Sequence, residues 1–213
     1  NLVDNNPNCF IFGYEKDGRT FVGASPEILV RHRGSEILSY ALAGTAPKDG
    51  PNAWTEEQLL TNTKNIIEHN IVRDRIVNTM KQITPHVTVG ETGIMELSHL
   101  YHLRTIITAK DSTKSLVEWA KLLHPTPALG GEPREKALAL LQEYEAHERG
   151  MYAAPFGFMK DMGDGIVVVA IRSALIMDNV LHAYAGCGVV ADSNADEEYA
   201  ETNNKMRTIL DAL

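Results

Sequence analysis

The chain has 213 residues, enough for one substantial domain with a core of its own. Apolar residues make up 44% of it and charged residues 23%, an ordinary globular balance. A formal net charge of −8 argues against a general nucleic-acid surface, which needs clustered Lys and Arg, and apolar runs such as "GIVVVAI" are far too short to span a bilayer. The only cysteines, Cys9 and Cys187, make no disulfide framework; with no signal peptide visible, they suit a reducing cytoplasm.

Over the first 42 residues "CFIFGY", "RTFVGA", "EILVRHR" and "SEILSYAL" read as strands, separated by turn-rich "EKDGR" and "RGS". "AGTAPKDGPN" reads as a Gly/Pro-punctuated loop. From about Thr55 to Ile83 the period becomes helical, with Leu59, Ile66, Ile67, Ile71, Val77 and Met80 at three- and four-residue steps. "HVTVGETGIMEL" and "HLRTIITAK" look extended, and "STKSLVEWAKLL" is a short helix capped by Ser112 or Thr113. Three prolines and two glycines make "HPTPALGGEP" a loop, and "REKALALLQEYEAHERG" a helix stopped by Gly150. "FGFMKD", "GIVVVAIRSALIMD" and "VLHAYAGCGVV" are strands, the last two joined by a turn near "DN"; "NADEEYAETNNKMRTILDAL" is a closing helix. Strands and helices come in segregated runs, which favours an α+β fold built on antiparallel sheet.

Several polar residues stand where chemistry would want them. Glu198, Glu201 and Lys205 form one stripe of the last helix, either a solvated face of first-turn acids and an i, i+4 pair or one wall of a cation site. Glu68 borders the face marked by Ile66, Ile67 and Ile71, so it needs either a basic partner or a cation. Two glutamates from separate helices suit a hard, oxygen-seeking ion such as Mg2+, whereas scarce cysteine and no H-x-x-x-H pair argue against zinc. Glu27, after Pro26, is either an exposed turn acid or, if buried, a general acid of raised pKa. Arg172 interrupts an apolar strand and needs an anion, from a protein acid or from a ligand. "LAGT" and "YAGCG" let a ligand approach the backbone closely, and no phosphate-loop or dinucleotide fingerprint is present.

The stretches "FVGASPEILV", "ALAGTAP", "KNIIEH", "LYHLRT", "LHPTPALGG", "VVAIRSALI", "AYAGCGVVADS" and "EEYAETNNKM", in that order, resemble the chorismate-utilising enzymes, and among them the isochorismate synthases. The resemblance covers almost the whole chain. It implies large antiparallel sheets flanked by helices, a Mg2+ cofactor and chorismate as substrate. Position by position it implies Glu27 as the acid that protonates the departing C4 hydroxyl, and Glu68 and Glu201 as Mg2+ ligands with Glu198 beside the metal. Gly44, Thr45, His102, Ala128, Arg172, Gly186 and Lys205 fall on substrate-contact positions, while His99 reads as an ordinary surface or core histidine. Mg2+ would face one carboxylate of the dianion and Arg172 the other, as water adds at C2 and hydroxide leaves C4 in a reversible displacement.

Among the family's branches, the nucleophilic lysine of aminodeoxychorismate synthases is replaced by Ala43, and anthranilate and salicylate synthases depart from "HPTPAL". A menaquinone-type isochorismate synthase is the preferred match; a siderophore-pathway isochorismate or salicylate synthase, or a non-catalytic chorismate- and Mg2+-binding piece, are the alternatives. The family's water-activating lysine lies about fifty residues before the "SPE" glutamate, further than Glu27 is from Asn1. The expectation is therefore one domain, residues 1–213, forming the C-terminal portion of the family's catalytic domain, with an N-terminal portion as its partner and no role for nucleic acid or membrane.

Overall fold

The structure, a computed structural model, describes residues 1–111 and 113–213. After a short helix α1 (Leu2–Asn5), which the strand-like opening of the sequence does not announce, two antiparallel sheets organise the chain. The four-stranded sheet has the order β1 (Phe10–Lys16), β2 (Arg19–Ser25), β9 (Ser173–Met177), β10 (Val180–Tyr184). The six-stranded sheet has the order β5 (Val87–Glu96), β6 (Leu100–Lys110), β4 (Glu36–Pro47), β3 (Ile28–Arg33), β8 (Gly165–Val169), β7 (Pro155–Met159). This is the antiparallel α+β architecture expected. No helix among the described residues is long and apolar enough to cross a membrane.

The two sheets meet at a seam. β2 leaves one sheet and β3 enters the other through Ser25, Pro26 and Glu27; β8 and β9 make the reverse passage through Ala170, Ile171 and Arg172. Val169 N–H donates to Glu27 O at 3.1 Å and Ala24 N–H to Arg172 O at 3.0 Å, so the two crossings lie side by side. The run "GIVVVAIRSALIMD" is thus two strands in different sheets, not one. Its break falls on Arg172, held at φ 51 in the left-handed region, an uncommon conformation for a residue with a side chain. The β9–β10 hairpin turns on Asp178 and Asn179, both at positive φ, as a tight two-residue turn requires.

A second irregularity sits in β4. Ala43 pairs with Leu103 and Thr45 with His102, leaving Gly44 as an extra bulged residue at φ 78. A Cβ there would lie 3.0 Å from Asn65 O and 3.2 Å from Leu103 Cδ1, so glycine is required by backbone and space together. Because the bulge absorbs the glycine, β4 continues through "AGTAP", which reads as loop in the sequence.

One helix over 55–83 is expected; there are two, α2 (Glu56–Thr61) and α3 (Thr63–Lys81). Asn62 ends the first and caps the second, its Oδ1 accepting from Asn65 N–H at 3.0 Å. The buried side of α3 is also not the one its isoleucines mark. Asn65, His69, Val72, Ile76, Val77 and Met80 face the six-stranded sheet, whereas Ile67 and Ile71 are 43% and 37% exposed. The polar members of that face are satisfied by the sheet. Thr45 N–H donates to Asn65 Oδ1 at 3.1 Å, and His69 Nδ1 donates to Ala43 O at 3.2 Å while Nε2 accepts from Thr105 Oγ1 at 2.7 Å.

α4 (Leu116–Leu123) packs Trp119, Ala120 and Leu123 into the same core as Leu29, Ile37, Val72, Ile76 and Ile107. Its cap is Ser115, in a capping box with Glu118, not Thr113; Ser112, the other cap expected, lies outside the described residues. Thr113 instead donates to Asp111, which also accepts from Trp119 Nε1 at 2.9 Å. "HPTPALGGEP" contains a one-turn helix α5 (Pro127–Gly130), tolerated because Pro127 stands in the first turn, where its missing N–H costs nothing. α6 (Arg134–Tyr144) stops six residues before Gly150, because Arg149 folds back to pair with Glu145 and to donate to Leu129 O at 2.8 Å. α7 (Ala195–Leu210) is capped by Asn194.

Candidate active site

The seam carries the centre of the site. Glu27 is 2% exposed, and its Oε1 is buried without a partner. Burial pushes its carboxyl up to about 8 against the opposing charges of Arg172 and Lys205, so it holds a proton at neutral pH. The exposed-turn alternative is excluded. Pro26 and the Ser25 hydroxyl, which accepts from Glu27 N–H at 3.2 Å, fix the backbone that aims it inward.

Arg172 is 5% exposed. Its Nη2 donates to His102 Nε2 at 2.9 Å, and its Nη1 is buried with no partner. Among the described residues it makes no salt bridge to a protein acid, so the buried ion pair that a strand arginine suggests is not formed. A guanidinium can only donate, so His102 Nε2 is the acceptor; the ring proton then sits on Nδ1, 3.0 Å from Thr45 Oγ1. Burial and the charges of Arg172 and Lys205 hold His102 well below its ordinary range, which keeps the ring neutral. The bulge at Gly44 sets this arrangement, since it rotates Thr45 into register with His102.

Facing the seam are the carboxylates of α3 and α7. Lys64 Nζ lies 2.5 Å from Glu198 Oε1 and 3.8 Å from Glu68 Oε2; Lys205 Nζ lies 2.6 Å from Glu201 Oε1 and donates to Gly186 O at 2.9 Å. Burial, reinforced by the charge of Glu201, raises Glu68 to about 7, with Lys205, Lys64 and the Gly44 N–H opposing. Glu198 is also buried, which alone would raise it, but bonds from Lys64 and Ser193 bring it below the ordinary carboxylate range. The last helix is therefore no solvated acidic face. Beyond β10 the chain passes over Glu68 at Gly188, where a Cβ would collide with the Glu68 carboxylate. Gly186 lies under the Tyr152 hydroxyl, 3.0 Å from where its Cβ would be, and Tyr152 stacks on Tyr184 with centroids 5.4 Å apart.

The fold thus gathers Glu27, Thr45, Gly44, His102, Arg172, Gly186, Lys205, Glu68, Glu198 and Glu201 into one region. Ala128 lies in α5 and packs against the core that includes Ala43 and Val169; none of the hydrogen bonds and ion pairs above involves it. His99 is no isolated histidine; it bridges Asp49 at 2.8 Å and Asp211 at 3.1 Å, tying α7 to the end of β4. Lys64, Ser193 and Tyr152 join the group although no motif singles them out. Lys64 left a signal, a base in the first turn of a helix where acids are favoured. Tyr152 left none, because a tyrosine in a turn is equally at home on a surface.

The donor set fits a hard divalent cation. It consists of carboxylates alone, Glu198 Oε2 is buried without a partner, and the missing side chain at Gly188 makes room for Glu68. The carboxylates do not stand ready-made around one point, however: among the described residues no three acid, imidazole or thiol groups close into a metal cage, and two lysines lie among the glutamates.

A two-sheet α+β fold with a buried acid and a buried arginine at its seam defines the class. The chain belongs to the chorismate binding enzyme family, whose model matches residues 1–213. It is 38% identical over 218 residues to isochorismate synthase MenF of Bacillus subtilis, covering 100% of this chain and 46% of that protein. It is 35% identical to anthranilate synthase component 1 of Arthrobacter globiformis, covering 98% of this chain and 41% of that one. Among solved structures, MenF, the menaquinone-specific isochorismate synthase from Escherichia coli, superposes with a TM-score of 0.86 at 30% identity, over 97% of this chain and 50% of that one. The chain spans about half the length of these relatives.

Proposed function

We propose that the chain carries the acid, the carboxylate clamp and the metal ligands of an isochorismate synthase of the menaquinone type. The observation that carries this reading is Arg172: a buried guanidinium, one terminal nitrogen bound to a neutral histidine and the other unpartnered, with no carboxylate paired to it among the described residues. Leaving such a charge uncompensated in the interior costs several kcal/mol, roughly, so its natural partner is an anion that binds there. Chorismate is a dianion, and Arg172 meets one carboxylate while His102 and Thr45 hold the guanidinium in place. Glu68 and Glu201, with Glu198 beside them, would hold Mg2+, which supplies positive charge to the second carboxylate.

Glu27, protonated at neutral pH and unpartnered at Oε1, gives its proton to the C4 oxygen as the C–O bond breaks. Water adds at C2, its proton passing to a base, and the ring diene shifts to give isochorismate. General-acid help of this kind is worth about 10²–10⁴-fold in rate. No lysine here matches the position of the family's base, so this chain by itself is proposed to bind chorismate, and the base to come from an upstream portion. The preference for menaquinone over siderophore synthesis rests on the 38% identity to MenF of Bacillus subtilis, against 35% to isochorismate synthase DhbC of the same organism.

Calorimetric titration of the purified protein with chorismate in Mg2+ tests the reading. Binding is expected, and Arg172→Met should weaken it at least tenfold while leaving Mg2+ affinity intact. A wild-type protein indifferent to chorismate, or an Arg172→Met variant that binds it equally well, refutes the proposal.

A further inference from the structure

Lys64 has the wrong charge for its place. The first turn of a helix carries partial positive charge and favours acids; α2 opens on Glu56 and Glu57 and α7 on Asp196, Glu197 and Glu198, but the first turn of α3 has no acid and holds Lys64. Lys64 also precedes Glu68 by four residues, the weaker orientation of such a pair. Local helix energetics give no reason for it.

Its surroundings do. The ammonium lies 2.5 Å from Glu198 Oε1 on α7 and 3.8 Å from Glu68 Oε2 on its own helix, with its side chain 22% exposed. It therefore stands between two carboxylates that, on the metal reading above, flank a divalent ion. Resting on that reading, we propose that Lys64 is an internal counter-ion that holds the place of the divalent cation between Glu68 and Glu198 and is displaced when the cation binds.

Charge and tethering both support the exchange. Glu68, Glu198 and Glu201 face two ammonium groups, Lys64 and Lys205, so exchanging one ammonium for a divalent ion brings the ionised cluster to neutrality. Lys205 is anchored, since it pairs with Glu201 and donates to Gly186 O as well. Among the described residues Lys64 has the two carboxylates as its only ion-pair partners, and a flexible four-carbon stem can carry its ammonium out to water. Glu198 keeps its hydrogen bond from Ser193 Oγ at 2.6 Å when Lys64 leaves, so the carboxylate remains aimed. Lys64 is thus a positioning residue. It keeps α3 and α7 together before metal arrives, and it weakens metal affinity because it must be expelled.

The test is a Mg2+ titration by calorimetry of EDTA-treated protein, with thermal melts in EDTA and in excess Mg2+. Lys64→Met and Lys64→Gln should bind Mg2+ about tenfold more tightly than wild type, about 1.4 kcal/mol. Both should melt lower in EDTA and recover wild-type Tm in Mg2+; a merely structural lysine would cost Tm equally in both. Glu201→Gln is the control for the metal reading and should weaken Mg2+ binding in any background. If it does so while the Lys64 variants bind Mg2+ no more tightly than wild type, the counter-ion is overturned and the metal reading stands. If Mg2+ binding is absent, or unchanged by Glu201→Gln, the metal reading is wrong and the counter-ion falls with it.

Discussion

Replacing Glu27 by Gln should make this protein more resistant to unfolding as the pH rises. Glu27 is fully buried, and burial moves its carboxyl from an ordinary 4.5 to about 8. Below about pH 4.5 the group is protonated in both the folded and unfolded chain, and its contribution to stability is fully present. Between 4.5 and 8 the unfolded chain releases the proton and the folded chain keeps it, so stability falls with rising pH. The loss is about 1.4 kcal/mol for each pH unit in that window, or about 3–5 kcal/mol across it. Above about 8 both states are ionised and the loss is complete.

Glu27→Gln removes the titration and keeps the shape. Any fixed cost of burying the amide is independent of pH, so the informative quantity is the difference between the two proteins as a function of pH. Other groups with raised values, Glu68 among them, titrate in both and cancel in that difference. Urea unfolding at pH 5, 6, 7 and 8, read by circular dichroism, should show the variant gaining on wild type at each step, by about 3–4 kcal/mol in total. A difference that stays flat from pH 5 to 8 would mean that Glu27 is ionised in the fold, and its assignment as a proton donor would fail.

Gly44→Ala forces a side chain into the left-handed region and against Asn65 O; it should cost about 1–3 kcal/mol in urea unfolding, and an unchanged midpoint would show that the bulge tolerates Cβ. Asp49, held down to about 2 chiefly by the bond from Arg207 and then by that from His99, is largely exposed. Asp49→Asn should therefore cost less than about 1 kcal/mol, an effect that fades in 1 M NaCl; a larger, salt-independent loss would show that α7 depends on this network.

Local chemistry determined a good deal of this molecule. Short apolar runs bounded by turn-rich stretches marked the strands around Phe21, Leu29 and Ile37, and strand and helix runs grouped apart announced an antiparallel α+β fold. Eight short stretches in order carried the family, and with it Glu27, Glu68, Arg172 and Glu201. Where periodicity failed, the cause was tertiary. Asn65 and His69 occupy the buried face of α3 because β4 and Thr105 supply their hydrogen bonds, which displaces Ile67 and Ile71 to the outside. No window of sequence contains those partners.

The roles of the polar residues were decided the same way. Glu27 could also have been an exposed turn acid, and Arg172 half of a buried ion pair, but two strand crossings lie side by side and bring both residues to one buried seam. Burial, not residue type, then keeps the acid protonated and leaves the arginine without an ion-pair partner among the described residues. Likewise, only the tertiary fold, which brings Glu198 of α7 to the start of α3, sets Lys64 between Glu68 and Glu198, more than a hundred residues from the second of them. Electrostatic energies depend on distance and dielectric in space, and a linear spacing carries neither.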